Sequence, residues 1–288
     1  RKTKIILSIF ALAICTVFIS VVFYGNVIIP YSAYNTAMEL FDAGKYSEAA
    51  AAFKKISNYK DSARIIKTIE KKVAENLFII QKSSLVDVTI GKTVKFGYYE
   101  QDNNVENGEE EIEWEVLAVE NKKALLISKY ALDCQRYNSR SAGVTWESCT
   151  LRNWLNDTFL NQAFTPYHQE EILSSTVTAD KNPQYKTEPG NATTDKVFLL
   201  STTEAEKYFS TEEERKCVPT EHAKANCEYT SSSYTKDGAV TCMWWLRAPG
   251  NSQYYAANVF SDGSIYYFGN YVYYAYSCVR PAMWINLD

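Results

Sequence analysis

Residues 112–128 read IEWEVLAVENKKALLIS and contain two strand patterns separated by a short turn. From Ile112 to Val116, apolar side chains alternate with glutamates, which is typical of a strand that buries one face. Asn121-Lys122 supplies the turn, and the apolar run at 124–128 follows it directly. We therefore predict a β-hairpin with one covered face at this point in the chain.

Further strand signals lie on both sides of this hairpin. They are VKFGYY at 94–99, KVFLL at 196–200, MWWLR at 243–247 and VRPAMWI at 279–285. Residues 150–164, TLRNWLNDTFLNQAF, have helical periodicity, and Ser201 or Thr202 with Glu204 forms a capping box for another helix. Because strands and helices mix without regular βαβ alternation, we predict an α+β head over residues 86–288.

The amino-terminal residues have the pattern of a membrane anchor. Residues 5–23 form a run of nineteen residues without a charge, which as a helix is about as long as the hydrocarbon layer is thick. Arg1, Lys2 and Lys4 precede the run, so the positive-inside rule places residues 1–30 as a cytoplasmic stub and single-pass transmembrane helix, with the head outside the cytoplasm at the cell membrane. A cleavable signal peptide, or a lipoprotein signal ending at Cys15, are the alternatives.

Residues 31–85 are predicted to form a short all-α stalk. Apolar residues recur at helical spacing before and after Gly44, and small alanines allow two helices to approach closely. The order of these residues resembles one tetratricopeptide repeat. Because such arrays need about three repeats to be stable, we favour a spacer over a peptide-binding array.

Composition excludes several classes of function. The chain has 30 basic and 34 acidic residues and a net charge of −4, which argues against a nucleic-acid partner. Its two histidines, His168 and His222, exclude His-rich metal sites and disfavour Ser-His-Asp or Cys-His catalysis. We predict no metal site and no cofactor.

Six cysteines follow the apolar run and are candidates for disulfides outside the cell. They are Cys134, Cys149, Cys217, Cys227, Cys242 and Cys278. Fifteen connectivities are possible, and we predict that neighbours along the chain pair: Cys134 with Cys149, Cys217 with Cys227 and Cys242 with Cys278.

An ordered set of motifs in the head resembles a bacterial domain family of unknown function. The motifs are FG at 96–97, IEWEVL at 112–117, TWE at 145–147, LR at 151–152 with WLN at 154–156, DKVFLLS at 195–201, WWLR at 244–247 and VRPA at 279–282. The resemblance covers residues 90–288 and implies a C-type-lectin-like fold, similar to that of formylglycine-generating enzymes. Some members resemble target proteins of diversity-generating retroelements, in which mutation at adenines varies a binding surface. Cys278 departs from the family, in which glycine normally precedes Val-Arg-Pro.

Residues 251–276, NSQYYAANVFSDGSIYYFGNYVYYAY, contain eight tyrosines and a single charge, Asp262. Mutation of an AAC codon at its adenines can give every residue type in this segment except glutamine, which occurs at Gln253. Tyrosine with Asn, Ser and Gly is also the composition of antibody paratopes, where rigid rings make the contacts. We therefore identify this segment as a variable binding face.

The predicted ligand-binding residues are the aromatic and asparagine side chains of this segment. They are Asn251, Tyr254, Tyr255, Asn258, Phe260, Tyr266, Tyr267, Phe268, Asn270, Tyr271, Tyr273, Tyr274 and Tyr276. Val259, Ile265 and Val272 are predicted to form the buried framework between them. A tyrosine-rich sheet with a purely structural role is the alternative, because tyrosine favours strands.

These patterns together predict a membrane-anchored surface protein whose head binds an external ligand. The ligand is expected to be an extracellular protein or a glycan, and the chain is not expected to be an enzyme. One alternative is a catalyst similar to formylglycine-generating enzymes, which requires a cysteine pair converging in a cleft. Another is a structural envelope protein without a ligand.

Overall fold

The structure is a computed structural model that describes residues 28–83, 85, 88–228 and 233–288. Within these residues, none of the helices combines the length and the apolar character that a membrane crossing requires. The predicted anchor at residues 5–23 lies outside the described residues. The chain divides into two compact units, residues 1–77 and 78–288, and the division falls within a helix rather than at the predicted boundary after residue 85.

The first unit contains the predicted helical hairpin. Helices α1 (Ile29–Asp42) and α2 (Tyr46–Lys54) are separated at Gly44, whose φ of +73° is accessible to glycine at little cost. The third helix, α3, covers Ser62–Ser83. The buried core of this unit consists of Ala37, Ala49, Phe53, Ile65 and Ile69. Alanine at the helix contacts leaves room for close packing, as the sequence predicts.

The second unit has a mixed α+β architecture, as predicted. Its first sheet has the strand order β1 (Thr93–Tyr99), β2 (Glu110–Glu120), β3 (Lys123–Ser128) and β13 (Ala282–Asn286), all antiparallel. The β2–β3 hairpin is confirmed: Glu120 pairs with Lys123, and Asn121 and Lys122 take φ values of +48° and +59°. These values are those of the type I′ turn that favours two-residue hairpin loops.

A second sheet has five strands in the order β11 (Ile265–Tyr271), β10 (Tyr255–Val259), β9 (Trp244–Pro249), β12 (Cys278–Val279) and β4 (Asp133–Cys134). Neighbouring strands are antiparallel except β9 and β12, which are parallel. Strand β11 forms one edge of this sheet. The predicted strand at 279–285 is therefore divided between two sheets, because Pro281 lies between β12 and β13 and cannot donate to a ladder.

Short helices and strands complete the second unit. The predicted helix at 150–164 is α4 (Thr150–Trp154), a π-helical turn (Leu155–Phe159) and α5 (Leu160–Ala163), followed by α6 (Pro166–Glu171), α7 (Thr202–Tyr208), α8 (Glu212–Arg215) and α9 (Glu221–Asn226). Two small hairpins pair β5 (Ser175–Val177) with β6 (Thr193–Asp195) and β7 (Thr235–Lys236) with β8 (Ala239–Val240). The capping box of Ser201 and Glu204 is confirmed at the start of α7.

The strand predicted at residues 196–200 is wrong. Residues 197–200 are fully buried, but only Phe198 makes a ladder contact, an isolated bridge to Ala282. A short apolar run has the same sequence pattern whether it forms a strand or only fills the core. This segment fills the core and does not pair with a neighbouring strand along its length.

Candidate functional site

The tyrosine-rich segment forms the β10–β11 hairpin at the sheet edge and the loop that follows it. Its turn depends on two residues. The carboxylate of Asp262 accepts hydrogen bonds from the backbone N–H and the hydroxyl of Ser264, at 2.9 and 2.7 Å. Gly263 has a φ of +91°, and a Cβ there would lie 1.8 Å from the carbonyl oxygen of Glu212. The only charge of the segment is therefore used to close the hairpin.

The hairpin contains a bulge that determines where its aromatic side chains lie. Ala256 pairs with Asn270 and Asn258 pairs with Tyr266, so one residue of β10 faces three residues of β11. Within the bulge, Gly269 has a φ of +81°, and a Cβ there would lie 2.5 Å from the carbonyl oxygen of Ala256. The bulge interrupts the alternation of faces that a regular strand would impose on consecutive aromatic residues.

Eight aromatic side chains form one continuous series of ring contacts, which we call the ring row. In spatial order it contains Phe260, Tyr266, Phe268, Tyr255, Tyr271, Tyr273, Tyr274 and Tyr276. The closest centroids, those of Tyr255 and Tyr271, are 4.1 Å apart, and the most distant neighbours, Tyr266 and Phe268, are 5.9 Å apart. Contacts at such distances stabilise aromatic pairs. Neighbouring rings of the ring row therefore restrain one another.

The ring row is open to solvent. Tyr271 is 38% exposed, and the other seven side chains are half-buried. Tyr254, beside the ring row, is 50% exposed. Interaction with the hydroxyl of Tyr271 raises the pKa of Tyr255 to about 12, so the Tyr255 phenol is a neutral hydrogen-bonding group at neutral pH. The exposed surface combines flat apolar rings with hydroxyl groups and carries no charge of its own.

Beneath the ring row, the framework predicted from the sequence is largely buried. Val259 and Val272 are fully buried, and Ile265 is half-buried against the core. Ala256 and Ala257 are also fully buried. Rings therefore project outward from a layer of small and branched side chains that fixes the backbone.

Four of the predicted binding residues are buried or form hydrogen bonds within the protein. Asn258 is fully buried, so its side chain does not reach this surface and we leave it out of the candidate site. The hydroxyl of Tyr267 donates to Glu206 of α7, and burial together with this hydrogen bond raises the pKa of Tyr267. The amide of Asn270 donates to Ser277 at 3.3 Å, and the amide oxygen of Asn251 is buried.

Asn182, which the sequence analysis missed, holds the hairpin in place. It is fully buried, and its amide nitrogen lies 2.9, 3.2 and 2.7 Å from the carbonyl oxygens of Pro249, Gly250 and Tyr267. Its own carbonyl oxygen accepts from the backbone of Gln184 and Tyr185. An Asn-Pro pair in a loop is a turn signal, but nothing local indicates that this side chain binds a hairpin distant in sequence.

We expect Asn182→Ala to lower the free energy of unfolding by about 2–3 kcal/mol, because buried carbonyl groups lose their donor. Urea unfolding followed by fluorescence measures this change. The matched control is Asn191→Ala, whose exposed side chain interacts with Glu147 and should cost less than about 1 kcal/mol. Equal effects of the two substitutions would contradict the anchoring role of Asn182.

The two arginines of the WWLR and VRPA motifs are buried and structural. Arg247 donates to the carbonyl oxygen of Thr178 at 2.8 Å and to Glu204, the capping-box residue, at 2.6 Å. Arg280 donates to the carbonyl oxygen of Ser128 and to Glu115, at 2.9 and 3.0 Å. Both guanidinium groups are thus buried and bind groups inside the protein, so they do not form an anion site at the surface.

The TWE, LR and DKVFLLS motifs meet at one buried carboxylate. Asp195 accepts hydrogen bonds from the indole of Trp146, the guanidinium of Arg152 and the hydroxyl of Thr193, at 2.9, 2.7 and 2.6 Å. Asn156, from WLN, binds the backbone of Lys196 and Val197. These motif residues connect separate segments of the scaffold.

Both histidines have defined partners within the second unit. His168 is fully buried between Thr165 and Gln81, at 2.7 and 2.8 Å, and burial lowers its pKa to about 4. The hydrogen bond to Asp133 raises the pKa of His222. Asp133 also accepts from the hydroxyl of Tyr99 at 2.6 Å. His168 is accordingly a neutral structural residue.

Of the predicted cysteine pairs, Cys134 with Cys149 is wrong, whereas the side chains of Cys242 and Cys278 do interact. All six are thiols in this structure, and Cys134 lies with Cys227 and Cys278 rather than with Cys149. Cys217 lies opposite Cys242 in an isolated antiparallel bridge. Pairing by sequence proximity fails for Cys134 because β4 and β12 are adjacent strands, which places Cys134 directly opposite Cys278 although the two are far apart in the chain.

An open groove elsewhere in the second unit has a volume of about 650 Å³. It is lined mainly by polar residues of β1, β2 and the region around α9, and none of its lining residues belongs to the segment 251–276. Its two lysines, Lys95 and Lys224, form ion pairs with Glu111 and Glu221. The ring row is a flat surface separate from this groove.

Comparison with known proteins gives a family but no characterised relative. The chain matches no curated protein and no solved structure. Residues 121–287, more than half of the chain, match the family described as Domain of unknown function (DUF6273). The match starts in the β2–β3 turn, so β1 and β2 complete the first sheet from outside the matched range. The chain belongs to this family of domains of unknown function, DUF6273.

Proposed function

We propose that the second unit is a recognition domain and that the ring row binds an external ligand, either a protein or a glycan. The observation that carries the proposal is the arrangement of eight partly exposed rings in continuous contact on the β10–β11 hairpin and the loop that follows it. Tyrosine surfaces of this kind offer large contact area at a low cost in conformational entropy. Few side-chain torsions would have to be fixed on binding, since the rings already restrain one another.

The surroundings of the ring row favour binding over a purely structural role. A structural sheet would bury its aromatic residues, but here the fully buried tryptophans Trp244 and Trp245 of β9 form the core and the tyrosines lie outside it. An uncharged aromatic surface on a sheet edge is costly to leave in water without a function. Recognition accounts for both the exposure and the composition.

The finer parts of the proposal are a C-type-lectin-like fold and diversification by a retroelement. The tyrosine and phenylalanine side chains of the segment are partly exposed, and Val259 and Val272 are fully buried beneath them. This separation allows many side chains to change without loss of the core. We further propose that the predicted anchor holds the domain at the cell surface, where a diversified face would meet external partners.

The test uses the full chain, screened first against arrays of glycans and of bacterial and host surface proteins. For any ligand found, Tyr255→Ala and Tyr274→Ala should each weaken binding at least about tenfold, because such rings are typical hot spots. Their melting midpoints should stay within about 5 °C of the unmodified protein.

The matched control is Tyr31→Ala, since Tyr31 is 51% exposed and belongs to the first unit. It should leave binding unchanged. A large loss of stability in the Tyr255 and Tyr274 variants, with binding retained by the folded fraction, would support the structural sheet instead.

A further inference from the structure

Three cysteine sulfur atoms converge in the second unit, from parts of the chain that are far apart in sequence. Cys134 lies on β4, Cys278 on β12, and Cys227 directly after α9. The three sulfur atoms all lie within 4.8 Å of one another. We call these residues the thiol triad.

The spacing of the thiol triad suits a shared metal ion better than a disulfide. In a site built around one ion, sulfur ligands at about 2.3 Å from the metal lie about 3.8 Å from each other. A disulfide joins only two sulfur atoms, at about 2.05 Å, and does not account for the convergence of three. The distances between the three sulfur atoms, all within 4.8 Å, are close to those of a thiolate metal site.

The thiol triad has the support that metal ligands usually have. Asp133 accepts hydrogen bonds from the backbone N–H of Cys134 at 2.6 Å and from the amide of Asn226 at 3.1 Å. The carboxylate of Asp133 therefore holds both the backbone of Cys134 and Asn226, the residue before Cys227. The backbone N–H of Cys278 donates to the carbonyl oxygen of Met243 at 2.7 Å. Fixed outer partners of this kind orient the ligands of a metal site.

We propose that Cys134, Cys227 and Cys278 form a thiolate site for a d10 metal ion, Zn²⁺ or Cu⁺. Soft sulfur ligands select these ions over Mg²⁺ or Ca²⁺. Cys134 and Cys278 are buried, while Cys227 is half-buried and gives the ion a route of entry. This proposal goes beyond the recognition function and does not depend on it.

The site would stabilise the end of the tyrosine-rich segment. The thiols of Cys134 and Cys227 both lie 3.4 Å from the carbonyl oxygen of Ala275, between Tyr274 and Tyr276 of the ring row. The backbone N–H of Glu228 also donates to this carbonyl, at 3.0 Å. A metal ion here would connect β4, β12 and the residues after α9 around that loop.

The experiment titrates the full chain after reduction and removal of metal, in the absence of oxygen. Zn²⁺ binding is followed by competition with a chromophoric chelator and by the charge-transfer and visible bands of Co²⁺ as a stand-in, and Cu⁺ is tested in a separate titration. We expect one equivalent of one of these ions to bind, and the Co²⁺ spectrum to report thiolate ligands.

Cys227→Ser, at the half-buried position, should weaken binding by at least about 100-fold, because loss of a ligand exceeds the usual effect of losing an outer partner. The matched control, Cys149→Ser, replaces a buried thiol that interacts with Trp146 and Arg152, and should leave affinity unchanged. Circular dichroism verifies that both variants are folded. Unchanged affinity in the Cys227 variant would overturn the proposal.

A second result would also overturn it. If the fully reduced, folded protein binds neither Zn²⁺ nor Cu⁺, and peptide mapping of the freshly isolated protein finds a disulfide within the thiol triad, these cysteines serve as a covalent link. Metal content measured on the same isolate supports the proposal if it reaches one equivalent and falls in Cys227→Ser.

Discussion

Replacing Arg280 with alanine is expected to lower the free energy of unfolding by about 3–5 kcal/mol. Arg280 is fully buried, and its guanidinium pairs with Glu115 of β2 and donates to the carbonyl oxygen of Ser128. It also lies over the rings of Trp244 and Phe209, at 5.2 and 5.1 Å. The substitution removes all of these contacts and leaves a partly buried carboxylate without its cation.

Urea unfolding of the full chain measures this loss. The matched control is Arg136→Ala, which removes an exposed ion pair with Glu228 and should cost about 0–1 kcal/mol. A loss below about 1 kcal/mol for the Arg280 variant would mean that the VRPA motif is not required for folding.

Asp195→Ala is the substitution with the second largest expected effect, a loss of about 3–4 kcal/mol. Its carboxylate is the common acceptor of Trp146, Arg152 and Thr193, which belong to three separate segments. Without it, the indole and hydroxyl donors are buried without an acceptor and Arg152 loses its counterion.

The same unfolding experiment tests this expectation, with Asp102→Ala as the control. Asp102 is exposed and interacts with Asn107 in a loop, so its removal should change stability by less than about 1 kcal/mol. Asp195→Asn should fall between the two, because the amide keeps an acceptor but loses the charge. If all three variants have the same stability, the family motifs do not meet at a structural carboxylate.

Features that depend on neighbouring residues could be predicted from the sequence. The β2–β3 hairpin follows from alternating glutamates and apolar residues around Asn121-Lys122, and the start of α7 from Ser201 and Glu204. The break at Gly44 also follows from local preference. In each case, the residues that specify the element lie within one turn or one strand of it.

Features that depend on distant contacts could not be predicted. Residues 196–200 have the sequence pattern of a strand, yet residues 197–200 are buried because they pack against other elements and not because they pair in a sheet. The cysteine arrangement depends on the order of strands in the second sheet, which no local pattern encodes. The hydrogen bonds from Trp146 and Arg152 to Asp195 also connect residues far apart in the chain, and no local pattern encodes them.

That residues 251–276 are a binding face stays a prediction. The partial exposure of the tyrosines in this segment agrees with the composition from which the segment was chosen. The bulge at Gly269 could not be predicted, because it depends on the register with β10. For this reason the burial of Asn258 and the anchoring by Asn182 emerge only from the structure.

Residue-level footprinting of tyrosine reactivity, with and without a saturating ligand, tests recognition through the ring row directly. We predict that Tyr255, Tyr271 and Tyr274 lose reactivity in the complex, while Tyr31 in the first unit keeps it. Protection confined to the groove around Tyr130, with these three tyrosines equally reactive in both states, would contradict recognition through the ring row.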